Sequence, residues 1–349
     1  MIVLLGAAVL AVGRSPAARG AEPPLTLLFV GDVSFAGRAT PRSADEAAGP
    51  DNPLAAFGDR FRRATAVFAN AEGLLTAERP PAYREARLDI GASPHWAGAF
   101  AAAGVTAVGL ANNHSWDGGA AGVLEQRSRL EATGVATFGA GTSAEEAEAP
   151  WLLERGTRCV AVLPATLKSN RPARPGASVA AYLGAEGLDR LAARVRALRD
   201  RGCFVAVSVH WGREGVHTPP RAVVAAAERL VDAGAGLVVG HHPHVLQGLA
   251  WRGGAAIAYS LGNFVFTNRT LAKRETGVLA VTLSDTTPPR LLEVSFEPAL
   301  IALPSFSPRP ATPREAEAIG GRLAAWSAAL GAKTAREGGR VRLLPPAAP

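Results

Sequence analysis

From residue 25 to about residue 283 the chain alternates short, continuously apolar runs with amphipathic stretches, and this rhythm excludes most architectures. Leu25 to Val30, Ala64 to Ala69, Val105 to Leu110, Val135 to Phe138, Cys159 to Leu163, Cys203 to Val209, Leu237 to Val239, Ala256 to Tyr259 and Val278 to Leu283 read as strands. Pro53 to Ala64, Pro94 to Ala103, Ala120 to Ala132, Gly187 to Asp200 and Arg221 to Ala233 carry helical spacing, several followed by the glycine that ends a helix. Strands without a polar side need cover on both faces, so the fold class is α/β. The 349 residues, 48% hydrophobic and 19% charged, suffice for a large core and exclude a disordered chain. Arg290 to Phe296 reads as one more strand, Arg314 to Leu330 as a terminal helix, and Leu343 to Pro349 as a frayed end. Three polar insertions, Arg38 to Asn52, Thr76 to Asp89 and Lys168 to Ala177, either rim a site or decorate the fold.

Polar residues gather where the strands end. Asp32 follows the first strand, Asn70 and Glu72 the second, Asn112, Asn113 and His114 the third, and His210 the Cys203 strand. In open α/β sheets function collects at such carboxyl ends. Singly, each residue has an ordinary reading: Asp32 as a helix cap, Asn112 and Asn113 as turn residues, His210 as a core histidine. Jointly they resist explanation by packing.

The densest element is Gly240-His241-His242-Pro243-His244, which follows an apolar run and takes three of the chain's 7 histidines. Strand alternation places His242 and His244 on one side and His241 on the other, and Pro243 is expected to hold the pair extended. His242 and His244 are therefore candidate ligands, and His241 is expected to be dispensable. Imidazole, carboxylate and carboxamide donors together suit Mn, Zn or Fe, and not Ca or a thiolate-bound zinc. One or two such ions would activate a water for attack on phosphorus or carbon, with His114 beside Asn113 placed to protonate the leaving group.

The formal charge of +7 is almost all arginine, since Lys168, Lys273 and Lys333 are the only lysines. The excess, concentrated from Arg155 to Arg201 and in the last forty residues, reads largely as solvated helix surface, with engagement of an anionic polymer or phosphoester partner as the functional alternative. Aromatics, 6% of the chain, do not interleave with the basic stretches, which argues against nucleic acid. Cys159 and Cys203 lie in apolar strand-like runs and read as two buried thiols. The apolar stretch Ile2 to Val12, too short to span a bilayer, with Ala18 and Gly20 after it, reads as a signal peptide over residues 1–20. The expected location is then periplasmic or extracellular; with no basic residue before the apolar core, an uncleaved membrane anchor stays open.

Taken in order, Gly31-Asp32, Asn70-Ala71-Glu72-Gly73, Ala111-Asn112-Asn113-His114, His210-Trp211-Gly212-Arg213-Glu214, Gly240-His241-His242-Pro243-His244 and Ser260-Leu261-Gly262-Asn263-Phe264 resemble the CapA family, linked to poly-γ-glutamate capsule synthesis and built on a calcineurin-like metallophosphatase fold. The resemblance implies a four-layer α/β/β/α sandwich with two mixed sheets over residues 24–300, with residues 301–349 as a C-terminal helix and tail. It displaces the simpler expectation of a single doubly wound sheet. It implies Asp32, Glu72, Asn113, His210, His242 and His244 as metal ligands, Glu72 as the bridge and His114 as general acid. Membrane-bound capsule synthesis machinery is the partner it implies. The wider metallophosphoesterase superfamily has a histidine where this chain has Ser34 and an aspartate where it has Glu72. One metal position is thereby left short of a nitrogen, so one ion or two remain open, as do three functions: capsule-polymer hydrolase, phosphoesterase and noncatalytic polymer-binding scaffold.

Overall fold

A computed structural model describes residues 23–77, 90–173 and 175–346. The expected signal peptide, and the Thr76 to Asp89 insertion from residue 78 onward, lie outside the described residues. Two large sheets dominate. The ten-stranded sheet runs in the order Lys333–Glu337, Arg340–Leu344, Leu291–Ala302, Glu275–Leu283, Leu25–Val33, Ala66–Ala71, Ala107–Gly109, Ala136–Phe138, with Asn263–Val265 and Ser307–Pro310 joined at its side. The six-stranded sheet runs Leu249–Arg252, Ala255–Ala258, Leu237–His241, Cys203–His210, Arg158–Thr166, Trp151–Arg155. Each combines parallel and antiparallel pairs, so both sheets are mixed.

Alternation along the strands divides the core into three layers. In the first strand Leu25, Leu27 and Phe29 meet Val160, Val162, Phe204 and Ala206 between the two sheets, while Leu28 and Val30 turn to the outer face, against Phe100 and Leu130 of flanking helices. The far face of the six-stranded sheet is covered by Leu191 and Val195 of helix Gly184–Asp200 and by Ala227 and Leu230 of helix Arg221–Asp232. The arrangement is the α/β/β/α sandwich expected from the resemblance, and the central parallel strands are buried on both sides, which explains their unbroken apolar runs.

Four expectations are corrected. Cys159 and Cys203 are not two thiols: they are register neighbours on adjacent parallel strands, with Cα atoms 4.4 Å apart, and form a disulfide. Leu343 is not frayed; it pairs with Val294 in the ten-stranded sheet and is buried. Pro53 to Ala64 is not one helix but a 3-10 turn, Ala55–Phe57, followed by helix Gly58–Arg62. Finally, His242 and His244 are not extended, having φ of 94° and 55°. Pro243 biases only the local backbone, and the turn is over-determined by longer-range contacts, among them the His242 N–H on Asp32 Oδ2.

Candidate metal centre

The parallel registers place the polar residues in two rows. Asn263, Asp32 and Asn70 stand side by side across three strands of the ten-stranded sheet, and Thr166, His210 and His241 do so in the six-stranded sheet. The segment between Ala258 and Asn263 crosses from one sheet to the other and brings the rows together. Two glycines make that crossing feasible. A Cβ on Gly31 would lie 2.0 Å from the Gly262 carbonyl oxygen, and one on Gly240 would lie 2.0 Å from that of Tyr259. In the space kept clear, the Asp32 N–H donates to Gly262 O at 2.9 Å and the Leu261 N–H to Gly240 O at 3.3 Å.

Asp32 is fully buried and surrounded by donors. Asn70 Nδ2 donates to its Oδ1 at 2.8 Å and the His242 N–H to its Oδ2 at 3.2 Å. His241 Nδ1 and His244 Nδ1 each lie 3.3 Å from its carboxylate. Burial alone would raise its pKa, but the two imidazoles outweigh that and hold it well below the usual carboxylate value. Glu72, equally buried, has no hydrogen-bond partner on either carboxylate oxygen. Burial, reinforced by the Asp32 charge and opposed by His244, pushes its pKa well above the usual value.

The imidazoles divide the same way. His244 is pushed up to about 9: burial opposes this, but the charges of Glu72 and Asp32 prevail. His242 is pushed down to about 3 by burial and by the charges of His244 and Lys168, and burial holds His210 well below the usual value. His210 Nε2 faces Asn113 Oδ1 at 2.7 Å, and its Nδ1 lies 3.3 Å from Asn70 Nδ2. His244 Nδ1 contacts Asn263 Oδ1 at 2.8 Å.

Two donor triads emerge, Asp32–Glu72–His244 and Glu72–His210–His242, each with its ligating atoms within 4.8 Å of one another. Glu72 belongs to both, and its two oxygens are unpartnered. A buried carboxylate without donors is costly unless a cation completes it. The donor chemistry thus fits a divalent cation, and the fold brings together the residues singled out in the sequence: Asp32, Glu72, His210, His242 and His244 fall in the triads, and Asn113 faces His210. His114 is buried beside them, its Nδ1 2.6 Å from Asp117 Oδ2, and Arg171 Nε donates to Asp117 Oδ1 at 3.2 Å.

Sequence reasoning misplaced His241. Strand pairing continues through it, but the positive φ of His242 breaks the alternation, and His241 lies against Asp32 instead of facing away. Sequence reasoning named Asn70 at a strand end but gave it no role, whereas Asn70 joins Asp32 to His210. Asp117 was missed as the partner of His114, although its position three residues on, in one turn, was legible. Glu214 forms a third grouping with His242 and His244. The basic stretch from Arg155 to Arg201 is largely consumed by local pairs: Arg190 and Arg194 with Glu148, Arg199 with Asp200, Arg201 with Glu154. Lys168, from the third insertion, is the cation whose charge reaches His242.

The profile of a family described as "Bacterial capsule synthesis protein PGA_cap" matches residues 26–268. The chain is 28% identical to "Capsule biosynthesis protein CapA" of Bacillus anthracis over 75% of its own length and 64% of that protein's. It is 26% identical to "PGA biosynthesis protein CapA" of Bacillus subtilis (strain 168), over 69% and 63% of the respective lengths. A "Probable polyglutamine synthesis accessory protein" of Mycobacterium tuberculosis is 31% identical over 45% of this chain and 44% of that one. The match therefore spans just under two thirds of the first two relatives.

Proposed function

From the premise that this chain belongs to the bacterial capsule synthesis protein PGA_cap family, we propose that it is an exported, metal-dependent hydrolase-like protein acting on an anionic capsular polymer of the poly-γ-glutamate type. The relatives' names supply the polymer; the observation that carries the chemistry is Glu72, a buried carboxylate whose unpartnered oxygens belong to both donor triads. Asp32, Glu72, Asn113, His210, His242 and His244 would hold a divalent transition metal, Mn, Zn or Fe, which when bound would supply Lewis acidity toward a carbonyl or phosphoryl group.

The chain's own residues do the rest. Asp32 orients His244 and, through Asn70, His210, so that these rings keep one orientation. His114, with Nδ1 fixed on Asp117, presents Nε2 to receive or give the leaving group's proton. Arg171 steadies Asp117 from the solvent side. Lys168, whose ammonium donates to Gly212 O at 3.1 Å, places positive charge beside the site where an anionic substrate would approach. The Cys159–Cys203 disulfide supports an oxidising compartment, in keeping with export and with work beside membrane-bound capsule synthesis machinery.

The deciding experiment measures bound metal in the purified protein and its His242→Ala variant, together with hydrolysis of poly-γ-glutamate and of a simple phosphodiester. The reading expects metal in the wild type, loss of metal and activity in the variant, and cleavage of the polymer. Cleavage of the phosphodiester alone would make the protein a phosphoesterase. Metal without either activity would leave a polymer-binding scaffold, and no metal would end both enzyme readings.

A further inference from the structure

The two triads leave one donor of the pocket without a role. Glu214 lies beyond the His210 strand, half exposed, its carboxylate 3.9 Å from Lys273 Nζ. Its carboxylate is within 4.8 Å of the ligating atoms of both His242 and His244. These histidines belong to different triads, one with His210 and the other with Asp32, so Glu214 stands near one histidine of each set while Glu72 belongs to both. His244 has Nδ1 engaged by Asn263, which leaves Nε2 as its free nitrogen. Exposed carboxylates are common near imidazoles. Here, however, the pocket holds buried groups that lack partners: both oxygens of Glu72, 2% exposed, and Nδ1 of His242, 3% exposed.

We infer that Glu214 is a third carboxylate donor of the metal centre, reaching both cation positions from the solvent side and compensating for the absence of a further histidine. The inference rests on the proposed metal-dependent reading and adds a ligand to it. Being exposed and outside the core clusters, Glu214 tolerates replacement without loss of the fold. Its solvent-side place makes it the carboxylate that an incoming anionic group would meet first, whereas Glu72 is out of reach.

The test is Mn²⁺ titration of the full chain by calorimetry, wild type beside Glu214→Gln and Lys273→Met, with the thermal midpoint of each metal-free protein as a fold control. We expect the wild type to take up two equivalents, Glu214→Gln to lose about tenfold in affinity for the weaker one, in the range that follows loss of a supporting group at a metal site, and Lys273→Met to bind at least as tightly as the wild type. Unchanged binding in Glu214→Gln would overturn the inference while leaving the metal-dependent reading intact. An equal loss in Lys273→Met would overturn it too, because the ion pair and not ligation would then be responsible. A wild type that binds no Mn²⁺ would overturn both, and one that binds a single equivalent would overturn the spanning role.

Discussion

The two halves of the candidate metal centre are both buried and chemically opposite. Around Asp32 both oxygens have a donor, Asn70 Nδ2 on one and the His242 N–H on the other, and the His241 and His244 imidazoles stand 3.3 Å away. Around Glu72 there is no donor at hydrogen-bond distance, and the nearest imidazole nitrogens, of His244 and His210, stand 3.6 and 3.8 Å away. A satisfied buried charge is part of the scaffold; an unsatisfied one is held in readiness for something that arrives later. The contrast separates the residues that build the pocket from the residue that most needs its cation.

The largest expected effect breaks the satisfied half. Asp32→Asn removes the charge that two imidazoles and a backbone donor face, and loss of one partner of a buried pair costs about 3–5 kcal/mol. Chemical denaturation of the metal-free protein should show that loss. Glu72→Gln should have the opposite sign. It replaces a carboxylate that ionises reluctantly with a neutral isostere, so the metal-free variant should be as stable as the wild type or more so, by about 1 kcal/mol, while metal uptake collapses. The pH dependence follows. Because the folded Glu72 pKa is raised, the folded state holds a proton that the unfolded chain releases as pH rises past the ordinary value, so this group makes stability fall with pH. Glu72→Gln should remove that part of the slope. Equal destabilisation by both variants would erase the distinction between the halves.

The next effect sharpens the contrast within the histidine cluster. His244 is raised to about 9, so its stabilising contribution is complete below about 6.5 and disappears as pH climbs through 9. His242 is lowered to about 3, so it costs stability as pH falls from about 6.5 toward 3. Metal-free His244→Gln should therefore be weakened near pH 6 and resemble the wild type above about pH 9, whereas His242→Gln should resist acid better than the wild type. Urea midpoints across the pH range read both. Parallel profiles for the two variants would show that the neighbours do not divide as their surroundings indicate.

How much of this was legible follows from the range of each interaction. Strand alternation and apolar runs are local, and they located most parallel strands and the polar residues after them. The division of those strands between two sheets depends on which run pairs with which, and no local pattern carries that; it came from the ordered motifs. The antiparallel Lys333–Glu337 and Arg340–Leu344 hairpin, with its polar edge strand, escaped notice because its composition is that of a tail. At the site, residue types and order were enough to pick out side chains that the fold brings together. The misreading of His241 came from extending a period of two through a turn whose geometry is fixed by distant groups, among them Asp32 accepting the His242 N–H. The disulfide escaped for the same reason: 44 residues separate its cysteines, and only the sheet register makes them neighbours.

The smallest expected effect lies at the solvent edge, where Arg171 meets Asp117. The arginine side chain is 31% exposed and that of Asp117 only 7%, so water competes for one partner and not for the other. Arg171→Ala should cost under about 1 kcal/mol, as a partly exposed ion pair does. Asp117→Ala should cost more, because it leaves His114 Nδ1 buried without an acceptor. Melting the wild type and Arg171→Ala at low ionic strength and in about 1 M salt separates the contributions, since screening should shrink their difference. A loss several times larger and independent of salt would mean that Arg171 pins the segment around Lys168 over the site, and the edge would then belong with the Asp32 half of the centre as structural support.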